Sequence, residues 1–165
     1  MTAARAGAIR DDGAMPDTLV VTWEALDGLV ARLAERVGRE HDLVLAITRG
    51  GLVPAGMLAY RLDLREILVA GAVFYLPEGG THPAPVIGHF PDDALLAGQR
   101  VLVVDEVWET GETMTEVMAR VRAAGGLPVS AVIHYKPGRS RVDGAPDHWA
   151  DTVHDWVTYP YKAGG

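Results

Sequence analysis

Two short stretches of the chain concentrate side chains that can do chemistry. In one, Val101-Leu102-Val103-Val104 runs into Asp105-Glu106-Val107-Trp108-Glu109-Thr110-Gly111-Glu112-Thr113. Thr110, Gly111 and Thr113 open a helix in this reading, so they offer unpaired backbone N–H groups and two hydroxyls to a phosphate. Asp105 and Glu106 set paired carboxylates beside that nest, an arrangement that suits a sugar diol or a magnesium ion bridging to a diphosphate. In the other stretch, Thr48-Arg49-Gly50-Gly51 follows an apolar run. Its glycines let the backbone approach a ligand, the next helix brings unpaired N–H groups, and Arg49 adds a fixed positive charge. Taken alone, this second turn reads equally well as a tight turn with a surface arginine. Four apolar residues, two acids and Thr-Gly-x-Thr in that order are much harder to assign to chance.

Both turns need a scaffold, and the spacing of apolar residues supplies one. Residues 43–47 read as a strand, residues 48–51 as the break, and a helix follows with Pro54 at its first position and Met57, Leu58 and Leu62 on one face. Upstream, residues 19–21 read as a short strand and Thr22 as an N-cap. Leu26, Leu29, Val30, Leu33 and Val37 then recur at helical spacing up to Gly38. Residues 67–75 form a further strand, and the Gly/Pro-rich stretch after it, about 76–93, reads as a flexible lid. Residues 100–104 repeat the strand pattern and residues 105–112 a polar turn. Residues 113–124 follow as a helix with Met114, Val117, Met118 and Val121 on one side, stopped by Gly125-Gly126. Residues 129–135 are the next strand, 137–148 a polar connection and 153–159 a last extended segment. This alternation predicts an α/β fold with a mainly parallel central sheet and helices on both faces. Ligands of such sheets bind beyond the carboxyl ends of the strands, where both turns lie. Residues 1–15 show no periodicity and read as a poorly ordered tail, leaving 16–165 as a single domain.

Composition narrows the function. The 165 residues carry 22 acidic against 15 basic side chains, a net charge of −7. That balance argues against attachment to nucleic acid or to an anionic membrane by broad electrostatics. Any anionic ligand must be held locally. With no cysteine there are no disulfides, thiolate metal sites or cysteine nucleophile, which fits a reducing, cytoplasmic setting. The longest apolar run, residues 67–76, falls well short of the roughly 18 residues a membrane span needs.

The acidic turn resembles the phosphoribosyl-diphosphate (PRPP) signature of the type I phosphoribosyltransferases, and Thr48-Arg49-Gly50-Gly51-Leu52-Val53-Pro54 resembles their diphosphate loop. The similarity is closest to the 6-oxopurine branch. It begins at Val21-Thr22-Trp23 and continues through Tyr135-Lys136-Pro137 to Asp155-Trp156-Val157 and Tyr159-Pro160. The resemblance implies the type I fold with a small hood or C-terminal segment for the base. It also implies transfer of the phosphoribosyl group from PRPP to a purine-like base, a Mg2+ cofactor, and a homo-oligomer, dimer or tetramer. By the same resemblance Asp105 and Glu106 hold the ribose hydroxyls and the metal. Glu109 serves as proton acceptor or donor near N7 of the base, and Thr110, Gly111, Glu112 and Thr113 wrap the 5′-phosphate. Arg49 and Gly50 meet the diphosphate, with the Thr48-Arg49 peptide cis as in the family. Lys136 donates to an exocyclic oxygen of the base, Trp156 stacks on its ring, and the backbone of Val157 reads its edge.

The chain also departs from the family pattern. Glu106 stands where Asp is usual, and Glu109 replaces Asp after Trp108, where a small aliphatic is normal. Glu112 replaces a glycine, and residues 76–93 contain no Lys or Arg, leaving His82 and His89 as the lid's polar candidates. These departures keep three alternatives in view: a modified, deazapurine-type acceptor, a PRPP-binding regulator, and a catalytically degenerate homologue. Trp23 reads as a packing residue and Trp149 as a surface-loop or interface residue, and His134 and His154 do not form a recognisable metal pair.

Overall fold

A computed structural model describes residues 5–9, 15–75 and 81–162. Its centre is a six-stranded sheet of order β5-β4-β3-β6-β7-β8. The strands are β3 (Leu43–Thr48), β4 (Ile67–Tyr75), β5 (Thr81–His89), β6 (Arg100–Trp108), β7 (Leu127–Tyr135) and β8 (His148–Thr152). All neighbours are parallel except β4 and β5. The inner strands β3 and β6 are apolar along most of their length because both of their faces are covered.

Alternate residues of these strands feed two cores. On one face α1 (Trp23–Val37) and α2 (Leu52–Leu62) pack Leu26, Leu33 and Leu58 against Val44, Leu102 and Ile133. On the other, α3 (Asp93–Leu96) and α4 (Glu112–Ala123) pack Leu96, Val117 and Val121 against Leu45, Val101 and Val103. The helix ends follow local chemistry. Thr22 caps α1, its Oγ1 accepting from the Ala25 N–H at 3.1 Å, and Gly38 closes it with φ 72°, donating to the Ala34 carbonyl. Among the described residues, no helix is long and apolar enough to cross a membrane.

A second, three-stranded sheet forms the small hood. Residues Arg5–Ile9 make β1, antiparallel to β2 (Met15–Val20), which pairs in parallel with β9 (Trp156–Thr158). The expectation of a poorly ordered tail over residues 1–15 is thereby corrected for residues 5–9 and Met15. Backbone pairing to β2 supplies the order here, and a short strand needs no apolar periodicity to make it. Residues 1–4 and 10–14 lie outside the described part.

Other expectations also shift. Much of the stretch read as an irregular lid, 76–93, is β5, with register irregularities against β4 and α3 after it. Pro83 and Pro85 obscured this strand in the sequence, but an edge strand tolerates residues without an N–H. Residues 76–80 lie outside the described part. The polar turn predicted from Asp105 starts later, since β6 continues to Trp108 and pairs there with Tyr135. Pro54 is the third residue of α2, still among the positions whose N–H has no helical partner. Strand β8 begins where the polar connection was expected to end.

Leu33 is wholly buried in the first core, whereas Tyr60 on α2 is 92% exposed. Leu33→Ala is expected to lower the unfolding free energy by about 2–5 kcal/mol, measured by urea titration, and Tyr60→Ala by no more than about 0.5 kcal/mol.

Candidate active site

The first functional turn leaves the carboxyl end of β3. The Thr48–Arg49 peptide is cis, as the resemblance implied. Thr48 Oγ1 donates to the Ala70 carbonyl at 3.3 Å, tying the turn to β4. Gly51 begins α2 at a place where no side chain fits, because a Cβ there would run into the backbone oxygens of Val104 and Ile47.

The second turn leaves β6, the strand next to β3. A cavity of about 410 Å³ opens over it, lined by Asp105, Val107, Trp108, Glu109, the run from Thr110 to Met114, and Arg141. Gly111 adopts φ 82°, and a Cβ on it would fall 2.6 Å from the Trp108 ring, so the turn is closed over that indole. Trp108 is buried, sits edge-on to Tyr135 at 6.3 Å and donates from Nε1 to Ser140 Oγ at 3.3 Å. The indole is thus the floor of this turn. Glu112 lines the cavity at the start of α4, its N–H donating to Thr110 Oγ1 at 3.4 Å.

The three acids have different surroundings. Burial pushes the Asp105 carboxyl up to about 7; the Glu106 N–H, donating to its Oδ1 at 2.7 Å, opposes this, and the neighbouring Glu106 charge adds to it. Glu106 turns away from the phosphate cavity. Its side chain is 13% exposed, accepts from the Tyr161 hydroxyl at 2.7 Å and pairs with Lys162. Glu109 faces two cations, Lys136 Nζ at 3.5 Å and Arg139, whose Nε donates to it at 3.1 Å.

Lys136 is 4% exposed, and its ammonium lies 5.6 Å from the centre of the Trp156 ring, itself 59% exposed. Glu109, Lys136 and Trp156 are therefore one cluster: an acceptor, a donor and an open aromatic face. Val157 next to it is buried in the hood strand β9, paired with Leu19, so only its backbone is available to a ligand. The sequence-predicted residues divide accordingly. Asp105, Glu109 and Thr110 to Thr113 share one cavity; Lys136 and Trp156 join it through Glu109; Arg49, Gly50 and Glu106 gather at the adjoining turn. His89 ends β5 opposite Gly71, exposed on the sheet edge.

Four residues escaped sequence reasoning. Arg139 and Arg141 come from the polar connection after Lys136-Pro137, where basic residues two apart were a signal left unused. Tyr161 and Lys162 come from a C-terminal 3-10 turn (Pro160–Lys162) that folds back onto Glu106. Nothing in their spacing announced it.

This arrangement defines a class. The Thr110–Thr113 turn and the glycine turn lie at the ends of neighbouring parallel strands, with a second sheet bearing an aromatic face. The phosphoribosyl transferase domain model matches residues 22–160. The chain belongs to the phosphoribosyltransferase family and is a transferase of that class. It is similar to the xanthine-guanine phosphoribosyltransferase of Gluconobacter oxydans, with 31% identity over 86% of this chain and 82% of that protein. It is also similar, at 30% identity over 75% of the chain, to the transcriptional regulator GfcR of Thermoplasma acidophilum, of which it spans 58%. Among solved structures, a hypothetical protein of Neisseria gonorrhoeae with bound ppGpp superposes with a TM-score of 0.80 at 27% identity, covering 91% of this chain and 92% of that one.

His134 lies under the site, 2% exposed, with Nδ1 2.7 Å from the Tyr159 hydroxyl. Burial lowers it to about 4; Asp151 raises it, and Lys136 and Arg32 lower it further. A histidine depressed in the folded state favours folding above its unfolded value and loses that contribution as pH falls from about 6.5 to about 4. Urea unfolding at pH 7 and pH 5 is expected to show a drop in stability that is smaller in His134→Gln.

Proposed function

We propose that the protein transfers the 5-phosphoribosyl group of PRPP to a purine or purine-like base, giving a nucleoside 5′-monophosphate and diphosphate. The observation that carries this reading is the Glu109–Lys136–Trp156 cluster adjoining the phosphate cavity. The turn from Thr110 to Thr113 takes the 5′-phosphate, and Arg49 and Gly50 meet the diphosphate. Asp105, with Glu106 behind it, takes the ribose hydroxyls. Lys136 donates to an exocyclic oxygen of the base, Trp156 covers its ring, and the Val157 backbone reads its edge. Such a base resembles those in the names of the relatives, xanthine and guanine.

Magnesium fits this site. Asp105 is a part-buried carboxyl that lines the cavity with no ion-pair partner among the described residues, and Mg2+ is commonly held by one or two carboxylates together with substrate oxygens. Among the described residues, no three His, Cys, Asp or Glu side chains cluster as a self-sufficient metal cage, so substrate oxygens must complete the shell. Asp105 would hold the ion, with Glu106, whose carboxylate oxygens are taken by Tyr161 and Lys162, backing it from the next position; when bound the ion would neutralise charge on the diphosphate. The remaining steps belong to the chain. A base nitrogen forms its bond to the anomeric carbon as the bond to diphosphate breaks and the electron pair leaves with that group. Glu109 takes the proton the base gives up. Positioning of two substrates supplies much of the rate. We also propose a cytoplasmic homo-oligomer, dimer or tetramer, with the exposed Tyr60 as one apolar surface available for contact.

The similarity to a regulator supports a second reading, in which PRPP binds and no base is converted. The net charge of −7 weighs against a direct nucleic-acid surface. One assay separates the two: PRPP, Mg2+ and a panel of 6-oxopurines and deazapurines, followed for diphosphate release and nucleotide formation. Turnover with at least one base is expected; PRPP binding without any turnover would favour the regulator. In the same assay Asp105→Asn is expected to lower kcat/KM for PRPP by roughly 10²-fold. Lys136→Ala should raise the base KM by about 10–100-fold and blur base preference, leaving the PRPP KM alone. An unchanged base preference in that variant would remove Lys136 from the base site.

A further inference from the structure

The C-terminal turn lines neither the phosphate cavity nor the base cluster, yet its side chains meet both loops assigned to PRPP. The Tyr161 hydroxyl lies 2.7 Å from Glu106 Oε2 and 3.3 Å from the Gly50 carbonyl oxygen. A hydroxyl has one proton to give, so the short, charge-assisted bond to the carboxylate dominates and the Gly50 carbonyl shares the donor weakly. Lys162 takes Oε1 of the same carboxylate, leaving both Glu106 oxygens engaged.

Two further contacts stiffen the arrangement. The Tyr161 ring stacks on Tyr159 at 5.4 Å with 12° between planes, and the Tyr159 hydroxyl donates to the Glu106 carbonyl at 3.0 Å. Gly50 itself lies so close to Glu106 that a Cβ there would fall 2.5 Å from Cδ. The carboxylate is thus wedged between the end of β6 and the turn after β3, and one phenol is bonded to both sides of the wedge.

We propose that Tyr161 is a positioning residue for PRPP: its hydroxyl holds the Gly50 peptide and Glu106 at a fixed separation, so that the diphosphate and ribose ends of one substrate meet their loops together. Lys162 balances the wedged charge. This rests on the reading of the two turns as a PRPP site. If instead the turn merely anchors the C-terminus, the stacked ring does that work and the hydroxyl is dispensable.

Tyr161→Phe separates the cases because it keeps the ring and its stack. Calorimetric titration with Mg2+-PRPP, together with steady-state kinetics on an accepted base, is expected to show PRPP Kd and KM raised roughly five- to thirtyfold. The base KM and kcat should stay within about twofold of the parent protein. Lys162→Met, at a half-exposed position, is expected to move the same two constants in the same direction by less. Unchanged PRPP constants in Tyr161→Phe, or base and PRPP KM values rising in proportion, would overturn the proposal. Failure of the unmutated protein to bind PRPP would instead overturn the functional reading beneath it.

Discussion

The parallel ladder between β3 and β6 is the constraint on which the site depends. Leu43 to Ala46 pair one to one with Val101 to Val104, so both strands run out at the same edge of the sheet. From β3 the chain moves outward to β4 on one side, and it returns to β6 on the other. The gap between those two departures is where a ligand can lie across strand ends without meeting a crossover helix. The glycine turn after β3 and the acidic end of β6 flank that gap because the register leaves them nowhere else to go. Four buried apolar pairs therefore fix the distance between Arg49 and Asp105 more firmly than any polar contact at the surface of the site.

Within that frame the charges are balanced locally, which an overall charge of −7 does not suggest. Glu106 is met by Lys162 and Glu109 by Lys136 and Arg139. Asp105, like Glu112, has no ion-pair partner among the described residues, and its carboxyl is pushed up to about 7 by burial. A buried group in that condition gains from any ligand that brings positive charge or hydroxyl donors to its ionised form. The acidic excess is therefore not spread evenly in its consequences. Two site acids hold the architecture of the pocket, and a third remains to be satisfied by what binds.

Legibility in the sequence followed the length scale of each interaction. The caps of α1, the glycine turn and the acid pair depend on residues within a few positions of one another, and all three were readable. So were strand β3 and the first half of β6, whose runs 43–47 and 101–104 are apolar and buried on both faces. Strand β1 was not readable, because its order comes from backbone pairing with β2 that imposes no pattern on Arg5–Ile9. Strand β5 was masked by Pro83 and Pro85, which an edge position permits. The Tyr161–Glu106 bond joins residues 55 apart in the chain. Nothing local distinguishes that tyrosine from a surface one, and only folding brings it to the acid.

The residues that depart from the family pattern make sense as a set once the geometry is considered. Trp108 lies beneath Gly111 as the floor of the turn and rests on Tyr135. A small aliphatic residue there would leave the turn unsupported unless the facing residues were larger. The bulk of the indole goes with a Glu at 109, whose extra methylene, compared with Asp, extends its carboxylate toward Lys136 and Arg139. Lys136 is in turn placed close to the Trp156 face that would hold the base. On the proposed reading, a base on that face would meet a lysine already engaged by a carboxylate.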